Sequence, residues 1–313
     1  MKRIAALVIL LTVHIPAFSQ FPVPVDSVYT FIKYNSILRN NVNWDETDSA
    51  FQNNIKKATT LKDTMRCFVS VLESLHDVHS QIYLNNKYYG TWPEFDDTTI
   101  AWLKPLNDRS NAETNIIYTK MLTEKNAYVK VPSMQAYGQQ QIDDLAKALN
   151  DSISQFNFKK IKGFIIDLRL NGGGNMYPML TGLSSLLGNN TLGYETNIDD
   201  SAVRKWELIN GNFNIGGYHV TNITATASSV FRSIPVVVLT GPVTKSSGSM
   251  TAIAFKGRPK TFFIGEPTAD GYTTSTQFFT FANNLVLNFA TNFAADRNMK
   301  IYKTTVDPDL LIY

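Results

Sequence analysis

The stretch IPVVVLTGPVTKSSGSMTAIAFKGRPKTFFIGEPT, residues 234–268, decides how this chain folds. An apolar, β-branched run is followed by a serine-rich turn, a helix of small residues and a second apolar strand. A serine between a buried strand and a helix N-terminus lies near backbone N–H groups that favour developing negative charge. This is how hydrolases of the α/β class carry a nucleophile, so Ser246 and Ser247 are the first candidates for chemistry.

A second strand, turn and helix occur earlier in the chain. Gly163–Leu170 is an apolar run with a charged end, typical of a central strand covered on both faces. The turn NGGGN at 171–175 then opens an apolar helix at 176–187, and it fits no nucleotide-binding fingerprint. Two interpretations stay open: a tight turn that only glycine tolerates, or a backbone that donates to a developing oxyanion. Two βα units are therefore expected in one sheet.

The composition is that of a globular protein behind an export signal. Of 313 residues, 44% are apolar and 18% charged. Lys2 and Arg3 precede a short apolar run, and small residues suit cleavage after Ser19, so residues 1–19 are predicted to be a signal peptide rather than a membrane anchor. Its removal takes two of the 29 basic residues and leaves 27 against 26 acidic ones, a net charge of about +1. That balance argues against a nucleic-acid partner.

Two regions follow the predicted signal. Residues 20–113 form an N-terminal lobe with helical periodicity, in which residues 86–113 resemble a loop. Residues 114–313 alternate short β-rich runs with helices, and the segments 204–220 and 272–303 are predicted to add strands. We therefore expect an α/β or α+β core with a central sheet behind the helical lobe.

Four short motifs in register carry a family resemblance. They are IIDLRLNGGG at 165–174, TKSSGS at 244–249, GEPT at 265–268 and VDPD at 306–309. Together they resemble the tail-specific or C-terminal-processing serine peptidases, a family that includes the tricorn protease core and the interphotoreceptor retinoid-binding protein. The resemblance implies a ClpP/crotonase-like βα core with a central sheet. It places the nucleophile on Ser246, and the oxyanion donors on the Ser247 N–H and the Gly172–Gly173 turn.

The same resemblance offers two sources for the general base. One branch of the family pairs its serine with a lysine 25 residues further on, but that position here is Gly271. The tricorn-like branch uses a histidine from a segment well before the core, which LHDVHS at 75–80 resembles, so the base falls on His79. An imidazole titrates near neutrality and can accept the seryl proton. The alternative is that His76 and His79 cap a helix C-terminus, a favourable place for a cation.

A third, orienting acid is expected from the last stretch of the chain. Lys303 stands at one expected position, and Asp296 is the nearest substitute, with a turn acid at a strand end as the alternative. The serine motif also departs from the family, since Lys245 replaces a small residue and Ser249 replaces a common glutamate.

The resemblance implies a serine endopeptidase that acts on a peptide or unfolded protein, with no metal or organic cofactor. The predicted signal peptide implies a secreted or periplasmic location, with no stable membrane anchor after its removal. The single thiol, Cys67, excludes an intrachain disulfide. No peptide-binding PDZ insertion fits between His79 and the strand at Ile165. The alternatives are a catalytically inactive member that binds a peptide or a small apolar ligand, and an esterase that uses the same serine.

Overall fold

The computed structural model describes residues 23–91, 95–225, 230 and 233–313. The predicted signal peptide, residues 1–19, lies outside the described residues. Among the helices of the described part, none combines the length and the apolar character that crossing a bilayer requires.

The described chain alternates helices and strands. The helices are α1 Val25–Asn35, α2 Trp44–Lys57, α3 Leu61–Ser74, α4 Asp97–Ala112, α5 Gln139–Ser154, α6 Met176–Gly182, α7 Ser184–Leu187 and α8 Ser247–Phe255. The strands are β1 Gln81–Leu84, β2 Lys87–Gly90, β3 Tyr118–Met121, β4 Asn126–Lys130, β5 Gly163–Asp167, β6 Thr191–Thr196, β7 Ala202–Ile209, β8 Asn212–Ile215, β9 Tyr218–His219, β10 Val236–Thr240, β11 Thr261–Gly265, β12 Thr274–Phe281, β13 Leu285–Asp296, β14 Ile301–Tyr302 and β15 Leu310–Leu311.

One sheet, called here the parallel sheet, has the strand order β15-β11-β10-β5-β4-β3. All of its neighbours pair in parallel except β3 and β4. The two predicted βα units contribute β5 and β10, which lie side by side with Phe164 opposite Val236. The mixed α/β prediction is confirmed. Because parallel strands end at the same edge, the glycine turn after β5 and the serine turn after β10 are neighbours.

The second sheet is antiparallel and has the order β2-β1-β13-β6-β7-β8-β9, with β12 and β14 also pairing with β13. It contains the strands predicted within 204–220 and 272–303. β13 is its centre, since it pairs with β1, β6, β12 and β14 along its 12 residues. β1 and β2, which come from the predicted helical lobe, are thereby joined to the C-terminal strands.

Two apolar clusters hold the layers together. The larger one, called the sheet cluster, packs the parallel sheet against α5 to α8 and includes Ile166 and Val238. The smaller one, called the lobe cluster, packs α1 to α3 against β1 and β13 and includes Leu72 and Leu287. Every residue of α8 is buried, as its small and apolar composition predicts.

Residues 86–113 are not the loop that the sequence predicts. They hold β2 and the 16-residue helix α4. Asp96 caps the N-terminus of α4, since its side chain accepts a hydrogen bond from the Thr99 N–H at 2.8 Å. Pro105 lies inside α4, where a proline argues against a helix. The buried residues of α4 are Leu103 and Ser110, so its sequence has little apolar periodicity that would predict a helix. Ser110 Oγ donates to the Leu170 carbonyl at 2.8 Å, which places α4 over the edge where the two turns meet.

Candidate active site

Ser246 occupies a strained turn between β10 and α8. Its φ of 53° and ψ of −124°, with the Gly248 N–H donating to the Lys245 carbonyl at 2.9 Å, describe a type II′ turn whose first central residue is the serine. A residue other than glycine held at positive φ costs of the order of 1–3 kcal/mol. The tight turn therefore holds Ser246 at the N-terminus of α8, where the sequence predicts a nucleophile.

His79 is positioned by the way α3 ends. His76 adopts a left-handed φ of 55°, and two backbone bonds close the helix: His76 N–H to the Glu73 carbonyl at 3.0 Å and Asp77 N–H to the Leu72 carbonyl at 2.9 Å. This is a Schellman motif, in which glycine is the usual residue at the left-handed position. It turns the chain back toward the molecule just before His79.

Asp77 then fixes the backbone that carries the histidine. Its Oδ1 accepts the N–H groups of His79 at 3.0 Å and Ser80 at 2.8 Å. Ser80 Oγ donates to Asp77 Oδ2 and accepts the Ala290 N–H of β13 at 2.9 Å. The His79 segment is thereby tied to the central strand of the antiparallel sheet.

The structure brings His79 and Ser246 together across 167 residues of sequence. His79 Nε2 lies 2.9 Å from Ser246 Oγ, and Nδ1 lies 2.8 Å from the Thr274 hydroxyl at the start of β12. The ring is 6% exposed, and the edge of the Tyr272 ring packs against it with 5.1 Å between centroids. If Nδ1 donates to the Thr274 hydroxyl, the lone pair on Nε2 faces the serine.

The environment of His79 keeps its imidazole neutral. Burial lowers the pKa of His79 from 6.5 to about 4; hydrogen bonding to Thr274 opposes this shift, and the positive charge of Lys245 adds to it. A neutral imidazole can accept a proton, so near pH 7 the ring is in the form that a general base needs.

Asp296 does not orient the histidine. Its Oδ1 accepts the N–H groups of Asn298 at 2.8 Å and Lys300 at 3.1 Å, and its Oδ2 accepts the Tyr302 hydroxyl at 3.1 Å. These bonds make it the turn acid at a strand end that was the alternative. The expectation for Asp296 is corrected because Thr274 holds the position at Nδ1. A threonine at the start of a strand carries no signal that would have revealed this role.

The glycine turn differs from expectation in its free donors. The Gly172 N–H donates to Ser133 Oγ at 2.8 Å, and the Gly173 N–H donates to Asn171 Oδ1 at 3.0 Å. Neither group is therefore open to a substrate, which corrects the expectation that Gly172 and Gly173 are oxyanion donors, whereas the expectation for Ser247 is unaffected. Within the described part of the chain, the N–H groups of Gly174 and Ser247 have no acceptor.

The glycine turn and the serine turn are in direct contact. A Cβ added to Gly173, which has a φ of 105°, would lie 2.8 Å from the Ser246 Cβ, so only glycine allows this approach. Ser247 Oγ donates to the Gly174 carbonyl at 2.7 Å. The open N–H groups of Gly174 and Ser247 thus lie on the two segments that flank the serine.

Asn171, for which the sequence indicates no role, positions the two turns. It is fully buried, and its Nδ2 donates to the carbonyls of Val131 at 3.2 Å and Pro132 at 3.0 Å. Its own carbonyl accepts the Lys245 N–H at 3.1 Å. One side chain and one carbonyl therefore connect the glycine turn, the segment after β4 and the serine turn.

The sequence profile of Peptidase family S41 matches residues 125–312, more than half of the chain and the region that holds both turns. The chain belongs to peptidase family S41. This confirms the resemblance to the tail-specific and C-terminal-processing serine peptidases.

Individual proteins resemble this chain in sequence or in fold. The "Nisin-resistance protein" of Lactococcus lactis subsp. lactis is 36% identical over 172 residues, which cover 54% of this chain and 51% of that protein, so the match spans about half of that relative. A lipoprotein from Streptococcus agalactiae has the same fold, with a TM-score of 0.67 and 23% identity over 92% of this chain and 90% of that one. A candidate peptidase from Parabacteroides merdae has a TM-score of 0.59 and 17% identity over 92% and 88%.

The lysine of the other S41 branch has no room in this chain. Its position is Gly271, which has a φ of 77°, and a Cβ there would lie 2.6 Å from Val78 Cγ2. The positive φ and this contact would both strain a side chain at this position. In this S41 member the candidate base is therefore a histidine, since the position of the expected lysine is occupied by Gly271.

A cavity of about 260 Å³ lies beside the two turns at the carboxyl edge of the parallel sheet. Arg169 and Asp167 line this cavity and form an ion pair at 2.7 Å. The Tyr128 hydroxyl also donates to Asp167 at 2.7 Å, so these side chains make polar contacts at the end of β5. In the described part of this S41 chain, no group of three His, Cys, Asp or Glu side chains is arranged to hold a metal ion.

Proposed function

We propose that this S41 protein is a serine endopeptidase with Ser246 as nucleophile and His79 as general base. The observation that supports it most is the 2.9 Å between His79 Nε2 and Ser246 Oγ. A seryl hydroxyl without a base is a poor nucleophile, whereas a neutral imidazole in hydrogen-bond contact can take its proton as the new C–O bond forms.

The proposed reaction has two halves. Ser246 Oγ attacks the scissile carbonyl while His79 Nε2 takes the seryl proton, and the resulting imidazolium keeps Thr274 at Nδ1. His79 then gives that proton to the leaving amine as the C–N bond breaks. Water, deprotonated by the same nitrogen, attacks the acyl carbon, and the bond to Ser246 Oγ breaks as the imidazolium returns its proton to that oxygen.

We assign the oxyanion to the N–H groups of Ser247 and Gly174, because both lack an acceptor and flank the serine. Each donor of this kind contributes roughly 3–4 kcal/mol to transition-state stabilisation.

The proposed substrate is a short or unfolded peptide met outside the cytoplasm. The predicted signal peptide, residues 1–19, supports export to the periplasm or the medium. The match to peptidase family S41 supports a peptide as the substrate class.

A fluorophosphonate probe tests the proposal directly, since it phosphonylates serines that an adjacent base activates. We expect one adduct, on Ser246, located by mass spectrometry of the purified protein. Ser246→Ala and His79→Gln should lose both labelling and peptide cleavage with unchanged circular dichroism. His219→Gln, on strand β9 next to Asn214, is the matched histidine control and should label normally. A folded wild-type protein that stays unlabelled would contradict the proposal.

One observation favours a second candidate, a catalytically inactive member that binds a peptide or a small apolar ligand. His79 Nδ1 faces the neutral Thr274 hydroxyl, where a carboxylate would stabilise an imidazolium more strongly. Saturable peptide binding without turnover, unaffected by Ser246→Ala, would support it. An esterase would label like a peptidase but would cleave p-nitrophenyl esters and not peptide amides.

A further inference from the structure

Lys245 precedes the proposed nucleophile and lies across the site. A Cβ added to Gly172 would lie 3.6 Å from Lys245 Cε, so the side chain passes over the glycine turn. Its Nζ lies 3.4 Å from Asn107 Oδ1 of α4 and 5.7 Å from the centre of the Tyr272 ring. Tyr272 also packs against His79, so the ammonium group and the imidazole lie against the same aromatic ring.

Within the described residues, no acidic side chain balances the charge of Lys245. None of the ion pairs within the described residues involves it, and the partner of its ammonium group is a neutral amide oxygen. Burial lowers the pKa of Lys245, and no acidic group opposes that shift. Lys245 is half-buried, and partial burial of an ammonium group without a counter-ion is unfavourable. Its three N–H donors have one side-chain acceptor among the described residues, the amide oxygen of Asn107.

We propose that Lys245 binds a carboxylate of the peptide substrate close to the scissile bond, an inference that rests on the proposed peptidase function. A carboxylate supplies a negative charge and acceptor oxygens to an ammonium group whose hydrogen-bond partner among the described residues is a neutral amide. Because an extended peptide advances roughly 3.3 Å per residue and Lys245 adjoins Ser246, the carboxylate belongs to a residue one or two positions from the cleaved bond. It is either the C-terminal carboxylate or an Asp or Glu side chain.

Lys245 does not serve as the general base in this arrangement. Its Nζ is directed to Asn107, whereas the Ser246 hydroxyl contacts His79 Nε2. Its effect on catalysis is therefore expected in the choice of substrate, and it depends on whether the substrate carries a carboxylate.

Synthetic peptides test this inference. A mixture of synthetic peptides, analysed by mass spectrometry, first identifies the best substrate and its cleaved bond. That substrate is then remade with a C-terminal amide, and separately with Gln or Asn replacing any Glu or Asp within two residues of the bond. We expect one of the two changes to lower kcat/KM of the wild type roughly ten- to hundredfold, which also tells the C-terminal source from the side-chain source.

The variants tie the effect to this lysine. In Lys245→Met the acidic and neutral peptides should be cleaved at equal rates, and Lys245→Arg should restore much of the preference. Lys104→Met, which removes an exposed lysine of α4 that pairs with Asp108, is the matched control. It should keep the wild-type ratio of kcat/KM for the acidic peptide to kcat/KM for the neutral one. A labelled, active wild type that cleaves acidic and neutral peptides equally, or a Lys245→Met variant that keeps the preference, overturns the inference. An unlabelled wild type would instead contradict the proposed function itself.

Discussion

At the scale of single residues, the burial of His79 decides the acid limit of the proposed reaction. The pKa of His79 falls to about 4 because the ring is desolvated and because Lys245 is positive. We expect the rate of fluorophosphonate labelling to stay high as the pH falls through 6.5 and to decline only near pH 4, where Nε2 becomes protonated. A pH profile of the labelling rate measures this, and half-maximal labelling near pH 6.5 would contradict it.

The same shift has a consequence for stability, whose sign follows from proton counting. An unfolded chain keeps the histidine pKa near 6.5, so between pH 6.5 and about 4 the unfolded state binds more protons than the folded state. The free energy of unfolding should therefore fall as the pH drops through this window. His79→Gln is the control, because it removes this part of the slope while the carboxylates continue to titrate.

At the scale of secondary-structure elements, the end of α3 stores strain that can be removed without touching the site. His76 holds the left-handed position of the Schellman motif, where glycine fits without a steric penalty. His76→Gly should raise the free energy of unfolding by up to about 1 kcal/mol, measured by urea unfolding. His76→Ala is the matched control, since it removes the imidazole and keeps the Cβ. A glycine variant no more stable than the alanine variant would contradict the argument.

The elements also show where sequence reasoning succeeds. β5, β10 and α8 are predictable because continuous apolar runs and serine or glycine turns are local signals. α4 lacked such a signal because Pro105 lies inside it and few of its residues are buried.

Contacts between distant segments were harder to predict than elements. The partner of His79 Nδ1 is 195 residues away, and the Gly172 N–H is taken by Ser133, a serine with no motif around it. Sequence could place the pair Ser246 and His79 through the family resemblance, but it could not show which neighbouring groups were already hydrogen-bonded.

At the scale of the whole molecule, the proposed active site joins two packed units. Ser246 follows β10 of the parallel sheet, whereas His79 follows α3, whose apolar face lies in the lobe cluster. β13 supplies Leu287 to the lobe cluster and Ala294 to the sheet cluster. It also pairs with β1, the strand that follows His79 in the chain. The distance between nucleophile and base therefore depends on both clusters being folded.

Leu72→Ala tests this dependence, because Leu72 is fully buried in the lobe cluster and its truncation is expected to cost roughly 2–5 kcal/mol. Since β13 connects the clusters, we expect fluorophosphonate labelling and far-ultraviolet circular dichroism to be lost at the same, lower urea concentration. Leu187→Ala is the matched control, because Leu187 is fully buried in the sheet cluster, and it should shift both signals together as well. If Leu72→Ala instead loses labelling well before circular dichroism, the lobe unfolds on its own and β13 does not make the two units cooperative.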